Sequence, residues 1–317
     1  MTDFGQLRRI GLRDIWRNEA TDFTPWLAEN LSSLGEVLGM ELELLEREAP
    51  VGGFSLDILA RDVGRNHLVI IENQITATDH DHLGKLLTYA AGYDARTIIW
   101  IAESLREEHR QALDWLNQYT NEQIEFYGVE IEIFQIDDSR PVYHFRLVAF
   151  PNNWRKSNTR TNENGPSKRA MAYQSFFQEL IDELRDRYHF TSAKVGQPQN
   201  WYSFASGYSG IVYGINFCLG KQVRAELYID RGDKLVNESV FEKLRTRKDF
   251  LEKEFGEALE WEPLEDRRAC RIAVYRPGSI DDDSQTLREL KEWSIQQLLR
   301  LKQVFGSILG EVMNEAS

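Results

Sequence analysis

Two apolar segments with polar residues inside them decide the fold: FSLDILA (residues 54–60) and LVIIENQI (residues 68–75). The residues between them contain Gly64, so the pair predicts two antiparallel strands joined by a turn. A turn centred on Gly64 and Arg65 aligns Asp57 with Glu72 across the hairpin. Side chains alternate along a strand, so Glu72 and Gln74 share a face.

Opposed carboxylates of this kind require something between them. Directly opposed residues of an antiparallel pair have Cβ atoms about 4.5–5.5 Å apart, and like charges at that separation destabilise a sheet. A proton or a divalent cation removes the repulsion, and oxygen ligands suit Mg²⁺ or Mn²⁺. The sequence therefore predicts that Asp57 and Glu72 form a metal site.

The elements around this hairpin predict a mixed α/β domain. Thr24 and Pro25 begin a helix whose leucines recur at helical spacing until Gly39. A strand at 41–48, the hairpin, a helix over 80–93 and a buried strand at 97–102 follow. This α-β-β-β-α-β order begins as a meander and continues through helical crossovers, so the sheet should be mixed.

The acidic residues in this order of elements resemble the PD-(D/E)XK nuclease superfamily. The resemblance rests on Asp57, a fourteen-residue gap, and Glu72-Asn73-Gln74. It implies a restriction-endonuclease-like core in which Asp57 and Glu72 are catalytic metal ligands for Mg²⁺ or Mn²⁺. It assigns Gln74 to the position of a lysine that assists the attacking water. Leu56 also replaces the proline of the superfamily motif.

Further site residues are expected on two helices. His82, Lys85 and Tyr89 fall on one face of the helix over 80–93, so Lys85 either supplies the missing lysine or lies on a solvated face. Asp79 is either the N-cap of that helix or a metal ligand. The superfamily resemblance adds a glutamate of the first helix near the metal, for which Glu19 and Glu29 are both candidates.

The second half of the chain predicts a separate α+β domain. A polar segment over 151–168 reads as a linker, so the domains are predicted at 1–150 and 169–317. Nearly the full length of the chain resembles a bacterial family known only as a domain of unknown function (DUF4268-like). In the second half, this resemblance rests on the segments RAELYID, LEWEPL and RRACRIAVY. An apolar stripe over 284–313 either packs on this domain's sheet or forms a homodimer seam.

Charge and composition limit the function classes. Residues 1–150 contain 26 acidic and 13 basic residues, and this half repels nucleic acid at long range unless a metal mediates contact. Two cysteines, no signal-peptide pattern and no long apolar run predict a cytoplasmic protein that does not enter a membrane. Two functions are open: a Mg²⁺-dependent nuclease acting on nucleic acid, DNA in the first place, or a degenerate module that binds nucleic acid or a protein partner.

Overall fold

The computed structural model describes residues 4–121, 123–151 and 168–314. The described chain forms two compact units. The first runs to residue 151, except that Gly39–Glu41 and Val63–Arg65 group with the second unit, which otherwise begins at residue 168. The linker predicted over 151–168 lies, apart from its two ends, outside the described residues.

The first unit is a seven-stranded mixed sheet with helices, and it confirms the predicted mixed α/β class. The sheet order is β1-β6-β5-β4-β3-β2, with β7 pairing on β6. Its elements are β1 (Leu7–Ile10), α1 (Leu12–Ile15), a π-helical turn (Glu19–Phe23), α2 (Thr24–Glu29), α3 (Leu31–Leu38), β2 (Leu42–Val51), β3 (Phe54–Asp62), β4 (His67–Asn73), α4 (His80–Tyr93), β5 (Thr97–Ala102), α5 (Glu107–Tyr119), β6 (Glu125–Ile136) and β7 (Val142–Ala149).

Strand direction follows the connections. The turns joining β2 to β3 and β3 to β4 give antiparallel pairs, whereas the crossovers through α4 and α5 make β4, β5 and β6 parallel. All six residues of β5 are buried, as expected for a parallel strand covered on both faces. The predicted α-β-β-β-α-β order is therefore present from α3 to β5.

The first predicted helix is broken in two. It ends at Glu29 and resumes at Leu31, because Asn30 leaves helical geometry (φ −113°, ψ 21°) while its side-chain amide donates to the carbonyl of Trp26 at 2.7 Å. The second piece ends before Gly39, which has a φ of +74° that only glycine adopts easily.

The second unit is an antiparallel sheet in the order β11-β12-β10-β9-β8, packed against helices. Its elements are α6 (Lys168–Asp186), β8 (Trp201–Tyr208), β9 (Ile211–Cys218), β10 (Gln222–Ile229), α7 (Lys234–Arg245), α8 (Lys248–Phe255), β11 (Glu260–Glu262), β12 (Cys270–Pro277) and α9 (Ser284–Asn314). The sequence patterns did not predict β8 or β11. Helix α7 ends at Arg245, where Thr246 Oγ1 donates to the Lys243 carbonyl at 2.7 Å, and α8 begins at Lys248.

The apolar stripe of α9 resolves one open alternative. Leu290, Leu298, Leu301 and Phe305 are fully buried in the core of the second unit, together with the aromatic side chains of β8 and β9. The stripe therefore packs on its own unit and is not a dimer seam. Within the described part of the chain, no helix is long and apolar enough to cross a membrane.

A buried asparagine on α5 supports one stability prediction. Asn117 exchanges two hydrogen bonds with the backbone of Phe126, at 2.8 and 2.9 Å. We expect Asn117→Ala to lower the free energy of unfolding by about 2–4 kcal/mol, because two buried backbone groups lose their partners. Urea denaturation measures the loss, and Gln118→Ala on the exposed side of α5 is the matched control. Equal stability of the two variants would contradict this role.

Candidate active site

The hairpin of β3 and β4 brings Asp57 and Glu72 together. The last ladder pair is Ile58 with Ile71, so Asp57 lies opposite Glu72 one position further, in the predicted register. Side chains replace the ladder there. The Asn73 amide donates to Asp57 Oδ2 at 2.8 Å, and the Asp57 amide donates to Glu72 Oε1 at 3.4 Å. The β3–β4 ladder ends at this point, whereas pairing with β5 continues, since the Gln74 amide donates to the Ile101 carbonyl at 2.9 Å.

Both carboxyl groups hold their protons more tightly than usual. Burial raises the pKa of Asp57 to about 7, and the charges of Glu19 and Glu48 add to the increase. Burial raises the pKa of Glu72 to about 9, and the charge of Asp57 contributes next. Glu72 is only 2% exposed, so water cannot screen the pair. A cation placed between the two groups would remove this electrostatic cost.

Only one of the two candidate glutamates reaches the site. Glu19, in the π-helical turn, accepts a hydrogen bond from the Ile75 amide at 2.9 Å, directly after β4. Its charge raises the pKa of both Asp57 and Glu72. Glu29 is exposed at the end of α2 and, within the described residues, makes no hydrogen bond or ion pair with the carboxylate pair. The expectation for Glu29 is therefore corrected: the π-helical turn at Glu19–Phe23, not α2, carries the nearby carboxylate.

Gln74 does not point its amide at the carboxylates. Its Nε2 atom donates to Ala77 O at 2.9 Å, with Thr76 Oγ1 at 3.1 Å and Asp79 Oδ2 at 3.3 Å. Its Oε1 atom accepts from the indole of Trp100 at 3.0 Å. The side chain is completely buried, and its two N–H groups have protein acceptors. The expectation that Gln74 orients the attacking water is corrected, because the amide is committed to the loop before α4.

That loop leads into an aspartate–histidine pair, formed by the N-cap residue Asp79 and by His82 in the first turn of α4. Asp79 is the N-cap of α4, accepting from the His82 amide at 2.9 Å, and its two oxygens also lie 2.9 and 3.0 Å from His82 Nδ1. The hydrogen bonds from His82 outweigh partial burial and lower the pKa of Asp79 to about 2, so this carboxylate is ionised at neutral pH. Both the N-cap role and a chemical role for Asp79 are therefore compatible.

One face of α4 places positive charge near the carboxyl groups of Asp57 and Glu72. The charge of Lys85 lowers the pKa of Glu72, and that of His82 lowers the pKa of Asp57, in both cases less than burial raises it. Lys85 Nζ lies 3.2 Å from Asp81 Oδ2 and is 38% exposed. Tyr89 is buried on the same face, where burial and the Glu72 charge raise the pKa of its hydroxyl.

The side chains around Asp57 and Glu72 offer oxygen ligands for a divalent metal. No group of three His, Cys, Asp or Glu side chains in the described ranges forms a ready cage. Mg²⁺, however, is commonly held by one or two carboxylates with water and substrate phosphate completing the shell. Asp57 and Glu72 supply two largely buried carboxyl groups whose pKa values are raised chiefly by burial, and for Glu72 also by the charge of Asp57. These residues fit such a metal.

Sequence reasoning missed two contributors. The Glu48 charge raises the pKa of Asp57, although Glu48 lies on β2 among several acids of equal appearance. His109, buried on α5, contacts Thr78 Oγ1 at 2.8 Å and His80 Nδ1 at 3.0 Å, which ties α5 to the start of α4. Neither carries a local sequence signal, because both act across elements that are distant in the chain.

Comparison with known proteins gives a partial picture. Residues 172–309 match the model of a family described as a domain of unknown function (DUF4268), so the resemblance predicted over nearly the full length is confirmed over this part. No curated protein matches the chain. Two solved structures are similar to a part of it. The "Structure of EndoMS-dsDNA2 complex" shares 24% identity over 33% of this chain, with a TM-score of 0.25. The "crystal structure of a repair endonuclease from Pyrococcus abyssi" shares 18% identity over 29% of this chain, also with a TM-score of 0.25. The chain spans 43% and 41% of their lengths.

The raised carboxyl pKa values generate a stability prediction. In the folded protein both pKa values lie above the ordinary values of 3.8 and 4.5, so the folded state binds protons that the unfolded chain has released. Stability from this pair is therefore greatest near pH 4 and is lost as the pH rises toward 9. We expect Asp57→Asn to raise the free energy of unfolding of the metal-free protein by about 1–3 kcal/mol at pH 8 and to change it little at pH 4.

Urea denaturation at the two pH values in EDTA measures this difference. Asp114→Asn, an exposed carboxylate on α5, is the matched control and should have a small effect at both pH values. An Asp57→Asn protein that is less stable than wild type at pH 8 would show that the carboxylate is compensated rather than repelled.

Proposed function

We propose that the first unit is a divalent-metal-dependent phosphodiesterase that acts on nucleic acid, with DNA as the first substrate class to test. The observation that carries the proposal is the pair of opposed, largely buried carboxylates of Asp57 and Glu72 at the open end of a hairpin. Such a pair is costly to a fold, and a structural module gains nothing from it. A metal ion held between the two carboxylates would offset this cost and could contact a phosphate group.

Asp57 and Glu72 would hold Mg²⁺ or Mn²⁺. A bound divalent ion lowers the pKa of a coordinated water and offsets the charge of the scissile phosphate. Glu19 adds a third carboxylate beside them, hydrogen-bonded through one oxygen to the Ile75 amide. This charge would strengthen the field that attracts the cation. The metal would also allow an acidic unit to approach a polyanion.

His82 and Lys85 would supply the functions of the absent lysine. The Asp79 carboxylate holds His82 Nδ1, which orients the ring and leaves Nε2 without a hydrogen-bond partner among the described residues. An imidazole held in this way can accept a proton from the attacking water. Lys85, one turn further along α4, would stabilise negative charge that develops on the phosphate.

Gln74 would then act as a positioning residue. Its amide donates toward Asp79 and Ala77 while it accepts from Trp100, so it connects β5 to the loop that carries the Asp79–His82 pair. A lysine at this position could not accept the indole hydrogen bond. The departure from the superfamily motif and the presence of the Asp79–His82 pair would therefore belong together.

A second function class is favoured by a specific observation. The glutamine at the lysine position is spent on internal hydrogen bonds, and the described residues contain no three-ligand cage. Both features are also expected of a unit that binds nucleic acid or a protein partner and has lost hydrolysis. Metal binding separates the two classes, because a degenerate module has no need to bind Mn²⁺ through Asp57.

The carboxylate pair is tested by Glu72→Gln. We expect this variant to lose cleavage of plasmid, linear duplex and single-stranded substrates, and to bind Mn²⁺ about 100-fold or more weakly. Calorimetric titration with Mn²⁺ and gel assays in Mg²⁺ are the measurements, and exposed Glu108→Gln on α5 is the control. Cleavage that persists in Glu72→Gln would point to another site. Wild-type protein that binds nucleic acid but neither cleaves it nor binds Mn²⁺ would favour the binding module.

The proton-transfer role is tested separately. We expect His82→Ala to slow cleavage by about 10²–10⁴-fold while its affinity for Mn²⁺ stays near that of wild type, because the ring is not a metal ligand. Lys85→Ala should slow cleavage with the same unchanged Mn²⁺ affinity. His144→Ala on β7 is the matched control, since that ring is 59% exposed. If His82→Ala cleaves at the wild-type rate, another group takes the proton.

A further inference from the structure

A cavity in the second unit has no part in the function proposed above. It has a volume of about 820 Å³ and is formed by α6, the segment before β8, and the ends of β9 and β10. This size lies within the range of small-molecule sites, about 300–1,000 Å³. The charged side chains among the described residues that line it are all arginines: Arg169, Arg224 and Arg267.

Arg224 is a rigidly held cation at this cavity. Its Nε lies 2.8 Å from Glu226 Oε2, its guanidinium lies 5.9 Å from the centre of the Tyr275 ring, and the side chain is 15% exposed. Glu226 faces Nε, which lies close to it without hydrogen-bond geometry, and accepts from Nη2 at 3.4 Å; Nη1 has no hydrogen-bond acceptor within the described residues. A fixed guanidinium loses little entropy when it binds a second anion.

Several polar side chains of the sheet hold Glu226, the partner of Arg224, in place. Glu226 is 5% exposed and also accepts from Asn216 Nδ2 at 2.6 Å, while Arg271 contacts it at 3.4 Å. Arg271 in turn pairs with Glu262 at 2.6 Å. A Cβ atom at Gly214 would lie only 3.3 Å from Glu226, so glycine leaves room for this carboxylate on the sheet. The two arginines and two glutamates balance one another.

The remaining arginines supply excess positive charge. Arg267 is exposed in the turn before β12, where its guanidinium interacts with the Tyr228 hydroxyl; among the described residues it forms no ion pair with a carboxylate. Arg169 at the start of α6 has a partner, Asp281, at 3.4 Å, but both side chains are more than half exposed, so this pair is weak. The cavity therefore attracts anions, and arginine guanidinium groups are well suited to phosphate.

The other wall of the cavity is apolar and amide-bearing. Tyr173 and Phe217 pack with ring centres 5.3 Å apart, and Leu219 is almost fully exposed at the mouth. Asn200 and Asn216 lie nearby, and each uses its Nδ2 in an internal hydrogen bond, which leaves its Oδ1 available as an acceptor. Burial raises the pKa of the Cys218 thiol, so this thiol is not a ready nucleophile.

We infer that this cavity binds a nucleoside phosphate, with the phosphate at the arginines and the base against the apolar wall. Positive charge at one side, an apolar surface at the other and free amide oxygens between them match the three parts of such a ligand. A free mononucleotide and the phosphorylated end of a strand share this chemistry. The site uses neither Asp57 nor a metal, so it is independent of the proposed phosphodiesterase activity.

The test is calorimetric titration of the full-length protein in EDTA, which removes any contribution of a divalent metal. We expect AMP to bind about tenfold or more tightly than either adenosine or inorganic phosphate, because only AMP satisfies both walls. A ten-residue oligothymidylate with a 5′-phosphate, compared with its 5′-hydroxyl form, identifies the source. Tighter binding of the phosphorylated strand than of AMP assigns a strand end, and the reverse assigns a free nucleotide.

Three variants make the assignment falsifiable. Arg267→Gln should weaken binding of the tighter ligand about tenfold. Arg224→Gln should do the same, and circular dichroism checks that it folds despite the unpaired Glu226. Arg245→Gln on the exposed face of α7 is the control and should bind like wild type. The inference is overturned if neither AMP nor the phosphorylated strand binds, if phosphate alone binds as tightly as AMP, or if Arg267→Gln and Arg245→Gln bind equally.

Discussion

The antiparallel register of β3 and β4 is the constraint on which the first unit depends. It continues the ladder to Ile58 and Ile71 and then sets Asp57 against Glu72, where hydrogen bonds to side chains replace those of the ladder. A shift of one strand by one residue would turn that strand's carboxyl group and its buried neighbours to the other face, away from those of the partner strand. The apolar residues that hold the register thus also hold together two carboxyl groups that cannot both ionise without repulsion.

The surroundings of the pair compensate for that repulsion only in part. Burial and the nearby Glu19 charge favour the protonated carboxyl groups, whereas His82 and Lys85 on α4 favour the ionised ones. The parallel strand β5 contributes through Trp100, whose indole holds the Gln74 amide and so the loop before α4. The region is coupled from strand to loop to helix, and a single residue changed in it should affect its neighbours.

In the second unit, buried charges are compensated by side chains of opposite charge. There Arg224 and Arg271 lie beside Glu226 and Glu262, so opposite charges alternate across the sheet and need no external ion. The positive charge that is left over lies at the cavity mouth, on exposed side chains. The two halves of the chain therefore differ in kind: the first buries carboxyl groups whose ionisation burial opposes, and the second presents positive charge at an accessible place.

Much of this could be predicted from the sequence, because it follows from local patterns. Apolar runs, a turn residue and helix caps predicted the mixed α/β class, the hairpin register, helix α4 with its Asp79 cap, and the Asp57–Glu72 opposition. These features depend on residues close in the chain, where spacing alone determines the geometry.

Only the tertiary structure decided how distant elements meet. It showed that Glu19, and not Glu29, lies beside the carboxylate pair, and that Gln74 makes internal hydrogen bonds. It also placed His109 in contact with His80 and packed the apolar stripe of α9 into the core of its own unit. The strand β8 was not predicted, although its Tyr202 and Phe204 are buried in the core of the second unit. Such choices depend on which side chain reaches which partner across the fold, and no pattern within one element contains that information.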